Sequence, residues 1–264
     1  MDIRLAVKYS AQHVLTPFLR HGKRQRRVAI VHEVLPHERQ VLGALLAAID
    51  DTPGLDVTLT FDDGFVSSYE AIRSLEHRKA IFFVCPEYIN RAECGNWEEF
   101  FHRNLWRTER LDDPALRDAV RPATWDQLRE LVALGHTIGS HSMTHARLSS
   151  LRSRREREQE IRASADMIED KLGTPVQDFA YPFGDIAGID ADAIDLVRQR
   201  YQRCFSGIRG NNHDTRDAFL QWRDTVHLYW TVSYSLFLLR GGFDGVYTRT
   251  RGRMARMVCT PRDL

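Results

Sequence analysis

The sequence predicts an α/β fold, a mostly parallel sheet with helices packed outside it, and three observations carry that expectation. Short runs rich in β-branched and aromatic residues alternate with stretches of three- and four-residue apolar spacing. Helix start and stop signals fall between those runs. The chain is 264 residues long, 43% hydrophobic and 28% charged, which suits one globular α/β barrel with a sizeable core.

The expected strands are VAIVH at 28–32, DVTLTF at 56–61, AIFFV at 80–84, HTIGS at 136–140, QDFAY at 177–181 and RCFSG at 203–207. Helical spacing links Val41, Leu45, Leu46 and Ile49, and again Leu128, Leu131, Val132 and Leu134. Thr124 followed by Gln127 has the form of a capping box, Gly135 and Gly173 stand where helices would end, and Pro175 prevents continuation. Residues 148–172 read as one long charged helix with Leu151, Ile161, Ala165, Ile168 and Leu172 as its apolar stripe; its Arg and Glu residues read as a solvated face. Residues 91–123 break the rhythm, with Trp97, Phe100, Phe101 and Trp106 set among charges. They form either a cover over one mouth of the barrel, with an aromatic rim, or a satellite hydrophobic cluster.

A formal net charge of +1 argues against a dedicated nucleic-acid binder. Basic residues cluster at Arg20, Lys23, Arg24, Arg26 and Arg27 and at Arg249, Arg251, Arg253 and Arg256, and solvated surface is the plain reading of both groups. We therefore divide the chain into an N-terminal basic segment (1–27), a barrel (28–228) and a C-terminal aromatic helix with an Arg-rich tail (229–264). Cys85, Cys94, Cys204 and Cys259 form no CxxC pair, which fits a reducing compartment. The first residues lack the apolar core of a signal peptide, so the expected location is the cytoplasm. The apolar run Val226 to Leu239 is too short for a membrane span; Tyr229 to Leu239 reads as a core helix followed by a solvated tail, with an interfacial helix on an anionic bilayer as the alternative. Oligomeric state is not legible.

Two segments carry chemistry. TFDDG, Thr60 to Gly64, ends an expected strand, where parallel barrels place their active sites. Side chains alternate along an extended chain, so of Asp62 and Asp63 one can bind a metal while the other handles a proton. SHSMTH, Ser140 to His145, also follows a strand, and two histidines four residues apart can converge on one cation. Neutral imidazole suits zinc, cobalt or nickel. Two imidazoles and one carboxylate would leave coordination positions open, as a catalytic site requires. FAYPFG, Phe179 to Gly184, follows another strand; Pro182 and Gly184 shape a loop in which the Phe183 N–H could face a developing oxyanion.

Together these motifs resemble those of the NodB-type polysaccharide deacetylases, carbohydrate esterase family four, from about residue 28 to about residue 225. The resemblance implies an irregular (β/α) barrel of about seven βα units, a divalent metal, usually zinc, and N-acetylglucosamine-like substrates. Position by position it implies Asp62 as catalytic base, Asp63, His141 and His145 as metal ligands, and Tyr181, Pro182, Phe183 and Gly184 as the substrate wall. The FAYPFG form is similar to the branch acting in bacterial exopolysaccharide and capsule pathways. The sequence departs from the family at Ala180, where an arginine commonly orients the base, and in lacking a clear late Leu-x-His motif for the general acid. Arg223 with Asp224 could replace the arginine and its partner, and His227 or His213 could supply the acid; His32, at the end of the first expected strand, could face the same mouth in a supporting role or be plainly structural. The expected reaction is hydrolysis of an acetamido-sugar N-acetyl group, in a glycan or a lipid- or nucleotide-linked precursor. Another small amide or formamide as substrate, or a glycan-binding relative without turnover, are the alternatives.

Overall fold

The computed structural model describes residues 24–75, 77–106, 111–213 and 218–259. Arg20 and Lys23 lie outside the described residues.

The strands are β1 (Gln25–Val31), β2 (Leu55–Phe61), β3 (Ala80–Val84), β4 (Thr137–Ser140), β5 (Asp178–Ala180), β6 (Arg203–Phe205), β7 (Leu220–Gln221) and β8 (Asp224–Thr225). They form one curled sheet in the order β7-β6-β5-β4-β3-β2-β1-β8, and every pairing is parallel. Only Trp222 and Arg223 separate β7 from β8, so one extended segment pairs with β6 through its first half and with β1 through its second. Counted as one, that segment gives the seven positions of the expected barrel.

The six expected strands are present. The seventh was not legible, because its strand residues are too few for an alternation to show and it carries Arg223 and Asp224 at buried positions. Both faces of the sheet are covered, and β3 is buried at every residue. Val28, Ile81, Phe83, Ala180 and Phe205 fill the inside of the curl, while Ala29, Val31, Phe82 and Val84 pack outward against the helices.

The helix Trp125–Ala133 starts at the Thr124–Gln127 capping box, and Gly135 follows it with φ 83°. The expected single helix over 148–172 is instead a short 3-10 turn, Leu148–Ser150, and a helix, Arg154–Leu172. Ser153 and Glu156 form a second capping box that starts the helix afresh. Its face is not wholly solvated, since Glu160 is buried beside Ile161, Ser164, Ala165 and Ile168.

Both readings of 91–123 have some truth. Trp97, Phe100, Phe101 and Leu105 form a satellite core with Phe65 and Tyr88, and Trp106 reaches the catalytic end of the barrel.

At the amino terminus the plain reading of the basic cluster needs correction. β1 begins inside the expected basic segment, and Arg27 is fully buried. Its Nη2 donates to Asp244 at 2.8 Å, its Nε to the Leu239 carbonyl at 2.9 Å, and its Nη1 pairs with Asp224 at 3.4 Å. Arg27 thus clamps the C-terminal segment to the barrel. Tyr234, Phe237, Leu238 and Leu239 of the helix Val232–Leu239 are buried as well, so this apolar run belongs to the core. Among the described residues no helix is long and apolar enough to cross a membrane.

Candidate active site

The carboxyl ends of the strands converge on one cleft, of about 270 Å³, lined among others by His32, Asp62, Asp63, Trp106, His141, His145, Tyr181, Phe183, Gly184 and Arg223. After β2 the Asp62 N–H still donates to the Val31 carbonyl at 3.1 Å, extending the strand by one residue. The chain then turns sharply: Asp63 has φ 75° and Gly64 φ 98°. The positive φ favours glycine at 64, and a Cβ there would also press on the end of the Ile89 side chain at 2.9 Å.

The second loop is shaped by left-handed residues too, Ser142 and His145 each at φ 62°. It is held by Glu160, whose carboxylate accepts the Thr144 N–H at 2.9 Å and the Thr144 hydroxyl at 2.6 Å, while its carbonyl accepts the Met143 N–H at 3.0 Å. The third loop turns at Phe183, φ 63°, and Gly184 packs so closely on the next loop that a Cβ there would lie 2.3 Å from Gly207 N. Among the described residues, four of the five non-glycine positive-φ residues sit in these three loops. Such conformations cost about 1–3 kcal/mol each and concentrate where a site demands them.

These turns bring together side chains far apart in the sequence. Asp63 Oδ1 lies 3.5 Å from His141 Nε2 and 3.4 Å from His145 Nε2. The other ring nitrogens are fixed: His141 Nδ1 meets the Ala180 carbonyl at 2.8 Å and His145 Nδ1 the Asn104 carbonyl at 2.9 Å. Each Nδ1 therefore carries the proton, which leaves the Nε2 lone pairs facing Asp63. Asp63 Oδ1 is buried with no hydrogen-bond partner in the protein. One atom from each of Asp63, His141 and His145 falls within 4.8 Å of the others, a set able to hold a metal ion.

Burial pushes the His141 and His145 imidazoles down, to about 3 and about 4, so both are neutral ligand-ready bases near pH 7. Burial pushes the Asp63 carboxyl up to about 7. Asp62 differs. Burial raises it, but the Arg223 guanidinium, then His141 and His32, outweigh burial and hold the carboxyl below its ordinary range.

Arg223 is 1% exposed; its Nη1 donates to Asp62 Oδ1 at 2.8 Å and its Nε to the Ser206 carbonyl at 2.9 Å. Its guanidinium carbon lies 5.4 Å from the Phe83 ring, in the interior cluster that also contains Ala180. Ala180 and Arg223 thus share the inside of the barrel, and the guanidinium enters it from the closing strand segment. Asp224 is not the partner of Arg223. It points away and pairs with Arg209 at 3.0 Å and Arg27 at 3.4 Å.

The remaining expected residues divide. Tyr181, Phe183 and Gly184 line the cleft, with the Phe183 ring 4.8 Å from that of His145 and 4.5 Å from the Arg147 guanidinium. Pro182 is buried in the same loop but is not among the lining residues. His227 is half-buried against Tyr229 and Trp230, with ring separations of 5.0 and 4.6 Å, and is also not among the lining residues. His213 is exposed and follows Asn211 and Asn212, which bond to backbone at the amino end of β1, the far end from the cleft. His32, by contrast, lines the cleft; its position after the first strand is the only trace of this in the sequence.

The family model for polysaccharide deacetylases matches residues 50–201, more than half of the chain. The chain belongs to the polysaccharide deacetylase family. This deacetylase is accordingly a hydrolase that removes acetyl groups from polysaccharide. Its fold is that of a polysaccharide deacetylase from Bacillus cereus (16% identity, 82% of this chain and 69% of that one, TM-score 0.58). It also matches IcaB from Ammonifex degensii (18% identity, 82% and 97% covered, TM-score 0.58). The deacetylase domain of BpsB from Bordetella bronchiseptica is similar too (17% identity, 76% and 96% covered, TM-score 0.53). No protein of curated function matches the deacetylase in sequence. The family match stops at residue 201, so Arg223 and everything after it lie beyond the matched residues.

Proposed function

We propose that the deacetylase hydrolyses the N-acetyl amide of an N-acetylglucosamine-like sugar with Asp63, His141 and His145 holding a divalent cation. The observation that carries this reading is one cleft containing both that three-residue set and a separate carboxylate, Asp62, kept ionised by Arg223. The donor set fits a cation: two imidazoles fixed through Nδ1 and a buried carboxylate oxygen with no other partner. Nitrogen and oxygen donors of this kind suit zinc first, with cobalt or nickel as substitutes. A divalent cation there would supply Lewis-acid activation of the amide carbonyl and of the attacking water.

Asp62 takes a proton from water as the water oxygen attacks the amide carbon. The Phe183 N–H, at its left-handed turn, faces the oxygen on which charge develops, and Tyr181 and Gly184 complete that wall. When the C–N bond breaks, the amine nitrogen receives a proton from His32, which we assign as acid in preference to His227 because it lines the cleft with both aspartates. Acetate and the free amino sugar leave.

The free thiols of Cys85, Cys94 and Cys204 suit a reducing compartment, and the reading places the reaction in the cytoplasm, on a glycan or its lipid- or nucleotide-linked precursor. Peripheral membrane contact would fall to exposed Tyr229 and the Arg-rich helix Thr248–Cys259; complete recovery in the supernatant after sedimentation with anionic vesicles would remove that contact.

Acetate release from N-acetylglucosamine oligomers, abolished by a chelator and restored by zinc, is the expected result. Release from no acetamido sugar, with turnover of another amide or none, would contradict the proposal. Glu160→Ala should weaken zinc binding about 10–100-fold, the usual effect of removing a group that supports ligands. Competition with a chromogenic chelator measures it, and an unchanged affinity would show that the His141–His145 loop does not depend on Glu160.

A further inference from the structure

The residues before Trp106 form a π-helical turn, Phe101–Leu105, closed by the Trp106 N–H donating to the Phe101 carbonyl at 3.0 Å. Such turns are rare and gather at functional sites. The last carbonyls of a helix have no partner within it, and here that of Asn104 accepts from His145 Nδ1 at 2.9 Å. Just past the turn, the Trp106 indole N–H hydrogen-bonds to the Asp63 carboxyl, while Asp63 Oδ1 keeps no partner. Two of the three residues of the cation set therefore lean on residues 104–106, which belong to none of the three motifs that build the site. Accepting the cation set of the proposed function, we infer that Trp106 is a positioning residue, whose indole N–H orients the Asp63 carboxylate so that Oδ1 faces His141 and His145.

Packing fixes the donor. The Trp106 ring stands edge-on to Phe65, with centroids 5.5 Å apart and planes at 84°, and lies tilted on Phe101 at 5.6 Å. Phe65 is fully buried and only two residues from Asp63, so one turn carries both the carboxylate and the ring that holds its donor. The far end of the insert is tied to the same turn. The Ala123 N–H donates to the Gly64 carbonyl at 2.9 Å and the Val66 N–H to the Arg121 carbonyl at 2.7 Å. A carboxylate without such a donor turns freely about its own torsions, and a cation must then bear the entropy of ordering it. An indole already locked by its neighbours removes that freedom beforehand.

Trp106 also lines the cleft, where an aromatic ring could serve as a wall for sugar. The two roles use different parts of the side chain: a wall needs the ring face, positioning needs the N–H. Phenylalanine keeps a ring and loses the donor, so Trp106→Phe tells them apart.

That variant is set beside the wild type and Trp97→Phe. Trp97 belongs to the same satellite core, with its ring 6.4 Å from that of Phe101, and is not among the residues lining the cleft. Zinc affinity is measured by competition with a chromogenic chelator, ligand geometry by the visible spectrum of the cobalt-loaded protein, and KM on N-acetylglucosamine oligomers at saturating zinc. Trp106→Phe should lose about 10–100-fold in zinc affinity and shift the cobalt bands, with KM unchanged. Trp97→Phe should keep the wild-type affinity and spectrum. A raised KM in Trp106→Phe with affinity and spectrum unchanged would make the residue a wall of the cleft and overturn the inference. Equal losses of zinc affinity in the two variants would assign the effect to packing and overturn it as well. A wild type that binds no zinc would sink the cation reading itself, a result that needs no variant and is thus distinct from both.

Discussion

Asp62→Asn is expected to lower kcat for acetate release by about 10²–10⁴-fold, the usual contribution of a positioned general base, while zinc affinity stays within a few-fold of wild type. The asparagine keeps the size of the side chain and can still accept from Arg223, so the barrel and the Asp63, His141 and His145 set are undisturbed. It cannot take a proton. The separation of effects is the point of the experiment: adjacent aspartates at the end of one strand have different work, because only Asp62 lies against a buried guanidinium and only Asp63 has a buried oxygen without a partner. Activity within tenfold of wild type would move the base elsewhere; zinc binding lost along with activity would make Asp62 a ligand.

Arg223→Met should act on the same carboxylate from the other side, and on stability too. Removing one partner of a buried ion pair costs about 3–5 kcal/mol, because the other charge is left desolvated. Arg223 and Asp62 are almost fully buried, so the pair falls in that class. The pH consequence has a definite sign. Burial raises the Asp62 carboxyl and Arg223 is the foremost cause that lowers it, so without Arg223 the group takes up its proton at higher pH. The acid limb of the kcat/KM profile therefore shifts upward, and activity disappears earlier on acidification. A purely structural arginine would lower the melting temperature and leave the position of the limb unchanged. Denaturant unfolding and a pH profile on the same variant separate the two.

Much of this was legible in the sequence, for physical reasons that can be named. β1 to β3 contain runs of apolar, β-branched and aromatic residues long enough to show, and the Thr124–Gln127 box and Gly135 mark helix ends by local hydrogen bonding and φ alone. TFDDG and SHSMTH stood out because carboxylates and imidazoles at strand ends have little structural reason to be there.

What escaped depends on tertiary contact. Leu220–Thr225 carries no strand pattern of its own; it is a strand because β6 and β1 flank it. Glu160 looks like any charge on a helix until the Thr144 loop lies on it. Arg27 sits in a basic run and is nonetheless fully buried. His227 follows a strand as His32 does, and only the curl of the sheet keeps it out of the cleft that His32 lines.

X-ray absorption at the zinc edge of the reconstituted deacetylase tests the central claim most directly. One zinc per chain, bound by two imidazole nitrogens and a carboxylate oxygen at about 2.0–2.2 Å, with both imidazole contributions reduced in His141→Ala and His145→Ala, is the result expected. Thiolate scattering at about 2.3 Å, or a spectrum unchanged by either histidine substitution, would place the metal elsewhere and contradict the account.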